Sequence, residues 1–138
     1  MKRIDTTCWS TYKITDIFLV KNTNCVLSRD IMPDSGVYPY VTASFVNNGV
    51  STYVNVNPIL LDKGNCILIG GKTLVFSYQE NDFVSNDSHN LALYLIETKY
   101  RKENVYLFLI TALKASLSKS YKWTDSISYR AIQKNTIL

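Results

Sequence analysis

The side chains that most often do chemistry are thinly spread in this sequence. His89 is the single histidine, so any Ser-His-Asp or Cys-His arrangement must use it. It lies in Ser85-Asn86-Asp87-Ser88-His89-Asn90, a polar run that reads as a loop before a strand rather than a catalytic centre. Cys8, Cys25 and Cys66 are odd in number, widely spaced and without a CxxC pair. That pattern suits buried thiols in a reducing compartment and does not build a structural zinc site. Gly70-Gly71-Lys72-Thr73 ends like a phosphate loop, but Cys66 stands where the first glycine belongs, and a strand rather than a helix is expected to follow. Glu80, Asp82 and Asp87 cluster in turn-like sequence without forming an evident acid–base pair. The residues nominate no catalytic group, no metal and no cofactor.

What the chain does supply is neutral hydrogen-bonding groups at turns. Asparagine occurs at 22, 24, 47, 48, 55, 57, 65, 81, 86, 90, 104 and 135. Asn and Gln can bond an adenine edge with two contacts, while Lys and Arg serve guanine or phosphate. Asparagine is equally an ordinary turn residue, so composition alone does not choose. The segment Lys114 to Trp123, with Lys119-Ser120-Tyr121-Lys122-Trp123 at its end, offers lysines to phosphates and rings to stack. A solvated helix end with aromatic anchors explains it as well. Lys and Arg total 15 against 11 acids, a net charge of +4, which permits an anionic partner without demanding one.

The elements that must position these groups fit one domain, 1–138. A mass of 15.7 kDa leaves room for one core. With 46% hydrophobic and 19% charged residues and a mean hydropathy of -0.03, the chain is neither a disordered tail nor a collagen-like repeat nor a coiled coil. No apolar run approaches the roughly 18 residues of a membrane helix; the longest, Val105 to Leu113, is about half that. Polar residues follow Met1-Lys2-Arg3-Ile4-Asp5 in place of a signal-peptide core, and a cytoplasmic location is expected.

Strands are expected at Ile14–Val20, Val37–Thr42, Val50–Val54, Asn65–Ile69, Thr73–Tyr78 and Asn90–Ile96. Pro39 should place its strand at an edge, or the strand should start just after it. Asn47-Asn48-Gly49 marks a turn, and Gly70-Gly71 should supply the positive φ of a hairpin. From Asn104 as cap, a helix to about Ser118 would bury Val105, Phe108, Leu109, Ala112, Leu113 and Leu117. The fold class is α+β: a strand-rich mixed or antiparallel twisted sheet with a C-terminal amphipathic helix.

Read in order, these segments resemble the target-recognition domain of type I restriction-modification specificity (S) subunits and of the related type IIB and IIG enzymes. The resemblance opens at Tyr12-Lys13-Ile14-Thr15-Asp16-Ile17-Phe18 and continues through Tyr38-Pro39-Tyr40-Val41-Thr42-Ala43 and Asn47-Asn48-Gly49-Val50. It proceeds through Gly64 to Gly71, Val75-Phe76-Ser77-Tyr78-Gln79, Asp82-Phe83-Val84-Ser85, Asn90 to Leu95 and Tyr106-Leu107-Phe108-Leu109. Lys119 to Trp123 and Lys134 to Leu138 resemble the family's exit. No single piece is specific; the ordered series over 12–138 carries the likeness. Trp123-Thr124 stands where relatives often have aromatic-glycine, and relatives continue beyond the last segment into a long helical spacer, so the chain is expected to be one recognition half without its arms.

The resemblance implies a non-catalytic module that reads one half of a split target in double-stranded DNA from the major groove. An associated methyltransferase (M) subunit would methylate adenine, and a restriction (R) subunit would cleave. From residue chemistry and loop placement, the candidate DNA-facing residues are Thr42, Ser44, Asn47, Asn48, Lys72, Tyr78, Gln79, Lys119 and Lys122. The alternative is a small β-rich protein–protein adaptor, for which Tyr38, Tyr40, Tyr53, Tyr121 and Trp123 would be exposed interface aromatics. A basic stripe would favour DNA; an apolar patch with a neutral rim would favour the adaptor.

Overall fold

A computed structural model of the chain describes residues 7, 9–118, 128, 132 and 136–137. Its centre is the strand β8 (Leu91–Leu95), buried along its whole length. Leu91, Leu93 and Leu95 enter one core cluster while Ala92 and Tyr94 enter another. The alternation read from the sequence is therefore present, but both faces are apolar because both are covered. Antiparallel to β8 run β2 (Phe18–Asn22) on one side and β5 (Cys66–Ile69) on the other. β6 (Phe76–Gln79) completes the four-stranded order β2-β8-β5-β6.

The helix α2 (Glu103–Leu117) covers the leucine face with Tyr106, Ile110, Leu113 and Leu117. On the other face lie residues of a second sheet, β4-β3-β7, formed by β3 (Tyr38–Val41), β4 (Val50–Val54) and β7 (Val84–Ser85). β3 pairs antiparallel with β4 and parallel with β7. A two-residue ladder joins β1 (Tyr12–Lys13) to β9 (Thr136–Ile137). The architecture is mixed α and β, with antiparallel pairing dominant and a C-terminal helix, as expected.

Several local expectations change. Ile14–Ile17 is a helical turn, α1, and the strand begins only at Phe18. A strand from Ile14 would direct Asp16 to the same face as the buried Ile14 and Phe18; the turn keeps both in the core and leaves Asp16 exposed. Pro39 is the second residue of β3, the middle strand of its sheet. It is tolerated because β7 joins β3 only from Tyr40 onward, so Pro39 has a neighbour on the β4 side alone.

The helix starts at Glu103 rather than after an Asn104 cap, with the Tyr106 amide donating to the Lys102 carbonyl at 3.0 Å. Its buried stripe is Tyr106-Ile110-Leu113-Leu117, and Phe108 lies 56% exposed, meeting Trp9 edge-to-face at 6.4 Å. Of the cysteines, Cys66 is buried and Cys25 is exposed; Cys8 lies outside the described residues. Burial pushes the Cys66 thiol up to about 12, so it stays protonated and inert.

The two turns behave differently. Asn47 and Asn48 take left-handed φ of 52° and 54°, and Gly49 follows at 79°. A Cβ on Gly49 would also stand 2.7 Å from the Thr42 carbonyl oxygen, so glycine is required there on both counts. In the 70–75 connection the positive φ falls on Leu74, at 53°, and not on the glycines. Gly70 is needed for space instead, because a Cβ would meet Ala43 Cβ at 2.6 Å and Thr73 Oγ1 at 2.5 Å. That close approach brings the loop after β3 against the loop after β5.

Candidate nucleic-acid interface

The loop between β3 and β4 projects the most exposed neighbouring apolar pair among the described residues. Phe45 is 83% and Val46 75% exposed. Its backbone is held by its own polar groups: Ser44 Oγ accepts from the Val46 amide at 3.1 Å, and Asn47 Nδ2 donates to the Val50 carbonyl at 3.1 Å. The Thr42 amide donates to the Gly49 carbonyl at 2.8 Å and closes the loop at its neck. Thr42, Ser44 and Asn47, with Ser51, line a shallow cleft of about 360 Å³. Nothing charged lines it, and no charged residue occurs anywhere in residues 35–61. Such a surface can exchange hydrogen bonds and apolar contacts with base edges but offers no ion to a phosphate.

The other sequence candidates sit elsewhere. Asn48 Nδ2 donates to the Tyr78 carbonyl at 2.8 Å, and Gln79 Nε2 donates to the Asn48 carbonyl and to Ser77 Oγ, both at 2.9 Å. These bonds clasp the loop along the edge strand β6. Tyr78 hydroxyl donates to Asn65 Oδ1 at 2.9 Å, and its ring stacks on Tyr106. Asn48, Tyr78 and Gln79 therefore hold the loop and line a different, larger groove. Lys72 Nζ reaches Asp87 Oδ2 at 3.0 Å. Lys119 and Lys122 lie outside the described residues. Phe45 and Val46 were missed by the sequence reading; the signal was an apolar pair inside an uncharged, asparagine-rich turn.

Asp87 organises the neighbouring loop. Its Oδ1 accepts from the His89 amide and meets His89 Nδ1, both at 2.8 Å, while Oδ2 takes Lys72. Burial alone would raise this carboxyl; the His89 contacts and Lys72 outweigh it and bring it down to about 2. A carboxyl lowered by folding adds stability above its unfolded value, which is lost as pH falls through the folded one. The melting temperature should therefore drop between pH of about 4 and pH of about 2, and Asp87→Asn should flatten that part of a thermal-melt series. A variant that keeps the full acid drop would place its origin in another carboxylate. His89 itself is exposed and engages no nucleophile. Among the described residues no group of three or more His, Cys, Asp or Glu is placed to hold a metal ion, and no helix is long and apolar enough to cross a membrane.

The described body carries balanced charge. Residues 7–118 hold equal numbers of acidic and basic side chains, so the net +4 comes from the two ends, which contain Lys2, Arg3, Lys119, Lys122, Arg130 and Lys134 against Asp5 and Asp125. Among the adaptor aromatics, Tyr40 is buried, Tyr38 half-buried and Tyr53 exposed; Tyr121 and Trp123 lie outside the described residues.

Comparison with known proteins adds three findings. The family model described as the type I restriction modification DNA specificity domain matches residues 7–137. No curated protein matches the chain in sequence. Among solved structures, the fold is similar to the type I restriction-modification S subunit from M. genitalium, with 18% identity, a TM-score of 0.67, 99% of this chain covered and 36% of that one. It is also similar to the HsdS subunit from Thermoanaerobacter tengcongensis, with 14% identity, a TM-score of 0.63, and 98% and 34% covered. A chain from a structure on complex assembly and conformational transition of the type I R-M system gives 12% identity, a TM-score of 0.66, and 94% and 33% covered. The chain thus spans about a third of the length of the solved chains it matches.

Proposed function

Because the chain belongs to the family of type I restriction modification DNA specificity domains, we propose that it is a non-catalytic module that reads one half of a bipartite duplex target. The observation that carries the reading is the rigid, uncharged loop 42–49 with Phe45, Val46 and Asn47 at its tip. Thr42, Ser44 and Asn47 would meet base edges, and the apolar pair would meet a thymine methyl or a base face. Asn48, Tyr78 and Gln79 would act from behind by fixing the loop. Phosphate attraction would come from Lys119, Lys122 and the other basic residues of the chain ends, with Lys72 contributing once it leaves Asp87. Methylation and cleavage would belong to associated M and R subunits, and a site in the cytoplasm would follow from that assembly.

This division of labour makes binding by the chain alone weak. If about four phosphates are neutralised, log affinity should fall against log salt with a slope of roughly -3.6, and the dissociation constant at physiological salt should be micromolar or poorer. Fluorescence anisotropy of a labelled duplex at several salt concentrations measures both; a slope near zero would remove DNA from the reading. One feature favours the adaptor alternative: Trp9, Leu107 and Phe108 expose apolar surface on the outer side of α2. Protein docking there is compatible with DNA reading through the 42–49 loop, and a chain that docks protein but shows no salt-dependent DNA binding would be an adaptor alone.

A further inference from the structure

The larger groove, about 690 Å³, lies beside β6 and has a chemistry opposite to that of a DNA site. Tyr38, Tyr53 and Tyr78 form aromatic walls, and Glu80 and Glu103 stand at the margin with no Lys, Arg or His in the lining. Asp82, also in the lining, is engaged by the Gly64 amide at 2.8 Å. The ion pairs among the described residues are Arg29–Asp30 and the two made by Asp87 with Lys72 and His89, so Glu80 and Glu103 have no cationic partner there. Burial, and then the fields of Glu80 and Glu103, raise the pKa of the Tyr78 phenol, and all three residues line the groove.

A second feature is independent of the acids. Gln79 is 3% exposed, and its Nε2 is spent on Asn48 and Ser77, which leaves Oε1 as an acceptor without a donor. Among the described residues no donor is placed on Oε1, and Gln79 lines the groove. Carboxylates, a free amide acceptor and tyrosine rings in one lining ask for one ligand type: a flat cation rich in N–H donors. Guanidinium fits that description better than ammonium, because it stacks on rings and donates in several directions at once.

We propose that this groove receives an arginine side chain from a partner polypeptide. The polypeptide source is favoured by Val37, 79% exposed, which extends the lining into apolar surface able to pack a side chain flanking the arginine. The assignment does not depend on DNA binding, and phosphates would be repelled from this face.

The test titrates the isotope-labelled 138-residue chain with acetyl-Val-Arg-Val-amide and with the same peptide carrying citrulline, which keeps the shape and loses the charge. Saturable amide shifts at Tyr53, Gln79 and Glu80 are expected, with the citrulline peptide weaker by about tenfold or more. Glu80→Gln combined with Glu103→Gln should weaken the arginine peptide by a similar factor. Tyr53→Leu, at an exposed position, should do the same and keeps the test valid if the double variant misfolds. Equal affinity for the two peptides, absence of saturable shifts in the groove, or indifference to these substitutions would overturn the proposal. So would spermidine binding the groove more tightly than the peptide, which would make a polyamine the occupant. Duplex affinity measured on the same samples keeps a failure of the DNA reading separate from a failure of this one.

Discussion

Phe45→Ala is expected to weaken binding to a preferred duplex by about 1–3 kcal/mol, a loss of roughly fivefold to a hundredfold or more, with the melting temperature unchanged. The ring is 83% exposed, so folding gains little from it and surface truncations of this kind seldom move stability by more than about 0.5 kcal/mol. Any benefit must come from a bound partner, where the ring would leave water against a base or a thymine methyl. The loop is already fixed by Ser44, Asn47, Asn48 and Gln79, so little ordering cost is charged against the contact. The duplex would be one that the unmodified chain itself selects from a random pool, with anisotropy as the readout. Affinity unchanged by Phe45→Ala would move the DNA face away from this loop. Asn47 needs a different substitution, because alanine at φ 52° would strain the backbone as well as remove the amide. Asn47→Asp tolerates that conformation and places a negative charge at the tip, but it also removes the donor to the Val50 carbonyl, so it should weaken binding through both the charge and a loosened loop.

Much of this arrangement was legible because it is local. Asn47-Asn48-Gly49 can scarcely be anything but a tight turn, and the alternation of Leu91, Leu93 and Leu95 marks a strand wherever it pairs. The helix face was not legible, for a physical reason. Val105, Tyr106, Leu107, Phe108, Leu109 and Ile110 are consecutive apolar residues, so the first half of α2 is apolar around its circumference and periodicity cannot select a side. The sheet beneath selects it, and that choice is tertiary. The site divided in the same way. Thr42, Ser44 and Asn47 share a cleft because they share a loop. The fate of Tyr78 and Gln79 depended on where the 42–49 loop would lie along β6, which no local pattern encodes. A polar side chain looks the same in sequence whether it faces a ligand or, like the Gln79 amide nitrogen, holds a backbone carbonyl.

Tyr106→Ala is expected to be the most damaging single change to folding, and it tests the packing choice that the sequence left open. Tyr106 is fully buried among the leucines of β8 and the other buried residues of α2. Its ring stacks on Tyr78 with centroids 5.4 Å apart, and its hydroxyl oxygen accepts from the Leu95 amide at 3.2 Å. Truncating a buried aromatic costs about 3–5 kcal/mol, and leaving a buried amide without its partner adds about 1–3 kcal/mol. Against a total of about 5–15 kcal/mol for a domain, much of the chain should be unfolded at room temperature. Tyr106→Phe separates the two causes: it keeps the ring and orphans only the Leu95 amide, so urea unfolding should show a loss of about 1–3 kcal/mol. The damage in Tyr106→Ala should also reach the 42–49 loop, since Tyr78 rests on Tyr106 and the Tyr78 carbonyl receives the Asn48 side chain. A loss below about 1 kcal/mol for Tyr106→Ala would contradict this packing of α2. A conservative result for Tyr106→Phe beside a severe one for Tyr106→Ala would instead locate the loop's support in stacked rings, with the hydrogen bond secondary.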